Sequence, residues 1–141
     1  MIREFKADDL ETVMKIWLQT NIEAHDFIKK SYWQGNYEMV KEMLPSSTIF
    51  VYESSDIVTG FIGLVEGYIA GIFVNASSQS MGIGKELLDY AKERYTTLSL
   101  QVYKKNVRAA KFYLREGFAV SKEQADEGTG EAELVLSWRK L

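Results

Sequence analysis

The sequence predicts one α+β domain spanning residues 1–141, a single mixed sheet carrying helices, and three observations predict it. Apolar residues switch along the chain between strict alternation and helical spacing, marking short strands and amphipathic helices in turn. These segments follow one another without internal repeat, low-complexity tract or linker, and Pro45 is the only proline. A chain of 141 residues, 46% apolar and 26% charged, suits one globular domain. At that size about two-thirds of the unfolded surface can be buried without metal or disulfide staples.

The elements follow in order. Ile2 to Phe5 alternates as a short strand. Asp8 is placed to cap the next helix, with Glu11 three residues on completing a capping box. Leu10, Val13, Met14, Trp17 and Leu18 then share one face. The polar stretch His25 to Asn36 interrupts before a second short helix with Tyr37, Val40, Met43 and Leu44, which Pro45 ends. Thr48–Glu53 and Ile57–Glu66 are β-branched and aromatic, joined by Ser54-Ser55-Asp56 as a hairpin. Tyr68–Val74 is a further central strand, followed by a helix from about Gly84 to Tyr95 and a strand at Leu98–Tyr103. A helix from Val107 to Arg115 has Asn106 as N-cap and Gly117 as its C′ residue. Phe118–Lys122 and Glu131–Trp138 close the chain as strands. The order is β-α-α-β-β-β-α-β-α-β-β, an α+β or mixed α/β domain.

Composition excludes several chemistries. With no cysteine there is no disulfide, thiolate nucleophile or cysteine metal site, and no metal is expected. A net charge of −3 does not suggest a nucleic-acid binder. Met1 to Lys6 holds no apolar export core, and no run of 18 apolar residues suggests a membrane span. The expectation is a cytoplasmic protein without nucleic-acid or membrane partners, monomeric or a homodimer.

Two segments carry the chemistry. In the first, the strand Gly71-Ile72-Phe73-Val74 leads to Gln79-Ser80-Met81-Gly82-Ile83-Gly84-Lys85 at the start of a helix. The free N–H groups and positive dipole of a helix start favour an anion, and glycines let the backbone approach it. Two commoner glycine motifs fail here. A P-loop would need glycine where Gln79 stands and a hydroxyl where Glu86 follows Lys85; a dinucleotide fingerprint would need glycine at Leu87. In the second segment Asn106, Ala109-Ala110, Phe112-Tyr113 and Gly117-Phe118 lie on and after one helix. Phe112 and Tyr113 point about 100° apart, one toward the core and the other toward a cleft. Each segment alone also reads as ordinary turn, cap and core packing.

Together, in this order, they resemble the GCN5-related N-acetyltransferase (GNAT) superfamily, whose signatures are Q/R-x-x-G-x-G/A and N-x-x-A-x-x-F-Y-x-x-x-G-F. More narrowly, Ala24-His25-Asp26-Phe27-Ile28 and the helix end at Pro45 resemble the bacterial YjaB-like acetyltransferases. The resemblance covers Ile2 to about Trp138. It implies a sheet of about seven strands, mostly antiparallel, flanked by four helices, with acetyl-CoA in a V-shaped opening between the fourth and fifth strands. It further implies that the backbone of Ile72, Phe73 and Val74 holds the pantetheine arm and the N–H groups from Gln79 to Lys85 hold the pyrophosphate. Asn106 and Phe112 would line the arm, and Tyr113 would protonate the departing thiolate. The reaction implied is acetyl transfer by direct attack of a primary amine, of a protein lysine or a small molecule. That chemistry needs no cysteine, and a phenol with an ordinary pKa near 10 stays protonated to donate.

The acceptor half is more open. Base candidates are His25, Glu66, Asp26 and Glu53, with a water chain as the alternative; Ala70 stands where YjaB-like chains carry an acid and cannot serve. Tyr32, Trp33, Tyr37 and Tyr68 read either as an aromatic acceptor pocket or as packing. Glu123, Asp126, Glu127, Glu131 and Glu133 read either as a lure for a cation or as a solvated hairpin. The rival to an enzyme is a non-catalytic CoA- or acyl-CoA-binding sensor.

Overall fold

A computed structural model describes residues 1–141. The strands are β1 (Ile2–Glu4), β2 (Thr48–Ser54), β3 (Ile57–Val65), β4 (Tyr68–Val74), β5 (Thr97–Tyr103), β6 (Ala119–Ala125) and β7 (Ala132–Arg139). The helices are α1 (Leu10–Ala24), α2 (Lys30–Met43), α3 (Ile83–Arg94) and α4 (Val107–Arg115). The seven strands form one sheet in the order β1-β2-β3-β4-β5-β7-β6. All neighbours are antiparallel except β4 and β5. The element order and the mixed seven-stranded sheet with four helices agree with the sequence reading.

Alternation along the strands divides the core between two faces. Ile62, Leu64, Leu98, Leu100 and Leu136 pack with Leu87, Leu88 and Ala91 of α3 and with Tyr113 of α4. Ile49, Val51 and Phe61 pack on the other face with Val13, Met14 and Trp17 of α1 and Trp33 of α2. The helix pairs therefore cover opposite faces of the sheet and approach each other only past its strand ends.

Two expectations are corrected. Asp8 caps nothing. A 3₁₀ turn at Ala7–Asp9 precedes α1, and Asp9 reaches back to accept the Lys6 N–H at 2.8 Å. Asp9 also takes the fork of the Arg3 guanidinium at 2.9 and 3.0 Å, and Arg3 continues to Glu53 on β2 at 3.0 Å. Glu11 pairs with Lys41 at 2.7 Å instead of closing a box. The second correction concerns α2, which begins at Lys30 rather than after Asn36. Trp33 is buried edge-on against Trp17, and Trp33, Tyr37 and Val40 form one stripe. Gly35 has open space where a Cβ would stand, so burial on one face outweighs the poor helix propensity of Gly35 and Asn36.

The feature that makes a site is where β4 and β5 part. Their parallel pairing is confined to Tyr68↔Ser99 and Ile69↔Leu100. At the same level the β3–β4 register shifts, with Leu64 opposite Ile69 but Gly63 opposite Gly71, so Ala70 is left over as a bulge. Beyond it β4 stays with β3 as far as Gly60↔Val74 and leaves β5. Gly71 makes room there for the Phe73 ring, which folds back over it; an added Cβ would lie 2.3 Å from that ring and push it aside.

The Arg3 fork fixes the start of α1 against β2 and yields a test with a definite sign. Asp9→Asn should cost about 2 kcal/mol of stability near neutral pH. The Arg3 hydrogen bonds hold the Asp9 carboxyl below the usual carboxylate range. Its contribution is thus present above about pH 4 and lost as the pH falls through the depressed native value. Urea unfolding of both proteins checks this: the gap should narrow as the pH falls below about 4 and close once the native carboxyl is protonated. A gap that does not narrow with falling pH would assign the loss to packing.

Candidate active site

The parting of β4 from β5 opens a cleft of about 930 Å³. Its walls come from the end of α1, the second half of β4, the loop into α3, and α4. Of the residues singled out in the sequence, Ile72, Phe73, Val74, Gln79, Ser80, Gly82, Ile83, Gly84, Lys85, Asn106, Phe112, Tyr113 and His25 all line it.

On the β4 wall, Ile72 and Val74 pack toward the α3 face and Phe73 toward the α1 face, leaving one backbone edge without a strand neighbour. Gln79 Nε2 donates to the Val74 carbonyl at 2.9 Å and ties the loop to the strand end. Along the loop the N–H groups of Ser80 to Lys85 have no acceptor in the protein; the first to find one is that of Glu86, to Gly82 O at 3.0 Å. Ser80 and Gly82 both adopt left-handed backbone, with φ of 67° and 82°, which turns successive N–H groups into a shared concavity. A Cβ at Gly84 would meet only Ile72 and Phe112 at 3.9 Å, so the protein's own packing does not demand glycine there.

Positive charge at this wall is unevenly committed. Lys85 is paired with Asp89 and Glu116, each at 3.1 Å, and Arg115 lies 4.0 Å from Glu116. Arg108 has only neutral partners, Gln79 Oε1 at 3.4 Å and Ser80 Oγ at 3.2 Å. A free guanidinium beside a run of free N–H groups suits a polyphosphate.

On the third wall Asn106 caps α4, its Oδ1 accepting the Ala109 N–H at 3.3 Å. Phe112 is half-buried beside Gly84. Tyr113 is held edge-on between Phe112 and Phe118, at 5.2 and 5.5 Å. Its ring is only 7% exposed, yet its hydroxyl makes no hydrogen bond within the protein and the residue borders the cleft. Burial, with a smaller contribution from Tyr68, pushes the phenol well above its usual pKa. It is a neutral donor without an acceptor.

His25, at the C-cap of α1, stacks on Trp33 at 5.1 Å and meets Phe27 and Tyr103 edge-on. Burial lowers its pKa below the ordinary histidine value.

Other sequence candidates lie elsewhere. Glu66 stands in the β3–β4 turn with φ 57°, bordering a separate cavity of about 650 Å³ at the opposite end of β4 from Val74. It does not reach the cleft. Met81 is 70% exposed outside the lining, Asp26 is exposed, and Glu53 is committed to Arg3. Tyr37 packs beside α1. The Tyr68 hydroxyl is 3.5 Å from Gln101 Oε1. Two members of the acidic run are not solvated: Glu133 is buried and bound by Gln124 at 2.7 Å. Asp126 accepts from Tyr103 and Thr129 and organises the β6–β7 loop.

Arg108, Thr20 and Asn21 also line the cleft and escaped the sequence reading. Arg108 had a signal: it shares the α4 stripe of Phe112 and Arg115 at i+4 and i+7. Thr20 and Asn21 had none, since only packing of Trp17 places that end of α1 at the cleft.

Comparison with known proteins agrees with this geometry. The chain is 32% identical over 140 residues to the peptidyl-lysine N-acetyltransferase YiaC of Escherichia coli strain K12, covering 98% of this chain and 96% of that protein. It is 28% identical over 121 residues to the peptidyl-lysine N-acetyltransferase YjaB of Salmonella typhimurium, covering 85% and 83%. The solution structure of apo YjaB from Escherichia coli superposes with a TM-score of 0.87 at 25% identity, over 98% of this chain and 96% of that one. The acetyltransferase (GNAT) domain family matches residues 19–130. With the family match, the near-complete relative and the split sheet in agreement, the chain belongs to the GNAT family of N-acetyltransferases.

Proposed function

We propose that residues 1–141 act as one domain that transfers the acetyl group of acetyl-CoA to a primary amine, a lysine side chain of a protein, by direct attack. The observation that carries this is the free hydroxyl of Tyr113 in the same cleft as an unpaired strand edge and six unpaired N–H groups. Two relatives bear the name peptidyl-lysine N-acetyltransferase, which supports lysine as the acceptor.

Acetyl-CoA supplies the activated acetyl thioester, and the residues present fit it. The edge of Ile72–Val74 offers the pantetheine arm strand-like hydrogen bonds. The N–H groups of Ser80–Lys85 and the guanidinium of Arg108 receive the pyrophosphate. Phe112 lies along the arm beside Gly84, where the missing Cβ leaves room. The Tyr113 hydroxyl, neutral at physiological pH, delivers its proton to the thiolate sulfur and regains one from solvent. Glu66 takes no part, and the acceptor's proton passes to water at the open mouth. A sensor that only binds CoA has no use for an unpaired buried phenol, and family membership points to the enzyme.

Two variants test the assignment. Tyr113→Phe should lower kcat about a hundredfold while the acetyl-CoA Kd stays within about twofold. Thiol release with a lysine peptide and calorimetry with acetyl-CoA measure the two quantities, and parallel loss of both would make Tyr113 a packing residue. Arg108→Gln should raise the KM for acetyl-CoA about tenfold and leave kcat unchanged. Acetyl-pantetheine, which lacks the phosphates, should serve both proteins equally; if it does not, Arg108 acts away from the phosphate end.

A further inference from the structure

We propose that His25 is a positioning residue: its Nε2 accepts a hydrogen bond from Asn106, and this bond ties the loop between α1 and α2 to the start of α4 across the cleft. The proposal rests on the acetyl-transfer reading above and removes His25 from the role of general base within it.

The direction of the bond follows from Asn106. Its Oδ1 is engaged by the Ala109 N–H, so the other end of the amide faces His25, with Nδ2 3.3 Å from Nε2. Exchanging the two ends would forfeit the cap. A carboxamide nitrogen only donates, so Nε2 carries no proton and Nδ1 carries it. A protonated ring would oppose two donors and break the contact.

Both ring nitrogens are then accounted for. Nε2 is occupied by Asn106, and Nδ1 is sealed from solvent with no hydrogen-bond partner. The ring faces are covered by Trp33, Phe27 and Tyr103. A general base must present a nitrogen to the acceptor or to a water beside it. In this imidazole Nδ1 is buried and Nε2 is already engaged by Asn106.

What the pair does is mechanical. The segment from α1 to α2 packs on one face of the sheet and α4 on the other. His25–Asn106 joins residues 81 positions apart where the strands have diverged. It fixes the acceptor-side loop at a set distance from the helix that carries Tyr113, and it orients the amide that lies along the cleft.

The chain has one histidine, so the imidazole ¹⁵N spectrum of the wild-type protein reads this site without ambiguity. The expected result at neutral pH is a protonated Nδ1 and a bare Nε2; a proton on Nε2 overturns the proposal. That measurement involves no acetyl transfer, so it stands or falls separately from the proposed function. Kinetics give the second arm. His25→Gln restores an acceptor for Asn106 and should keep kcat within about threefold of wild type, whereas His25→Ala should lower kcat/KM about tenfold. If the glutamine variant is as inactive as the alanine variant, with melting temperature and acetyl-CoA Kd unchanged, His25 is the base and the proposal fails. It fails equally if His25→Ala is fully active.

Discussion

Every backbone N–H and C=O in a sheet interior needs a partner, and in this protein β4 is denied one along half its length. Pairing with β5 ends at Ile69, although β4 continues beside β3 to Val74. The bulge at Ala70 supplies the local twist that carries the strand away. A central strand with an open edge is otherwise a hazard, since unpaired strand edges recruit other chains. Here the edge faces a cleft closed by α4 and by the loop into α3. The fold is an unfinished sheet, and under the proposed function a ligand arm of extended shape would complete it.

The surrounding elements answer the same geometry. Gln79 takes the Val74 carbonyl where a strand would have done so. Because β5 is displaced, α4, which follows it, is set over the gap, and Asn106 and Tyr113 arrive at opposite ends of its cleft-facing stripe. Gly71 lets the Phe73 ring fold back over it and lie tilted against Phe61, with ring centroids 4.8 Å apart. One interrupted ladder therefore places the strand edge, the loop with free N–H groups and the Tyr113 hydroxyl together.

Much of this was legible in the chain. The switch between two hydrophobic periods gave the element order, and the glycine turn with the Phe-Tyr helix gave two walls of the cleft. What escaped was decided by partners distant in sequence. Asp9 rather than Asp8 serves the start of α1 because Arg3 lies above it, and no local rule distinguishes the two aspartates. The early start of α2 depends on Trp17 receiving Trp33. Glu66 reads as a cleft residue only if β4 is imagined short; the strand's seven residues carry it to the far end. His25 drew attention as the sole histidine, but its place against Asn106 required the two helix layers to meet around the sheet.

The cleft is also graded in charge, and burial produces the gradient. Desolvation disfavours whichever form of a group is charged, so it raises the Tyr113 phenol and lowers the His25 imidazole, leaving both neutral. Cations are confined to the other end, where Lys85, Arg108 and Arg115 border the loop. In the proposed reaction an anion would be received there, where fixed positive charge and free N–H groups offset its desolvation. At the α1 end the lining holds no cation and a single carboxylate, Glu23, beside the neutral His25, which bears on the other requirement of the proposed reaction. An amine attacks only when unprotonated, and an apolar surround disfavours the ammonium form in the same way that it disfavours imidazolium. The burial that keeps His25 neutral would thus also reduce the need for a base in the proposed reaction.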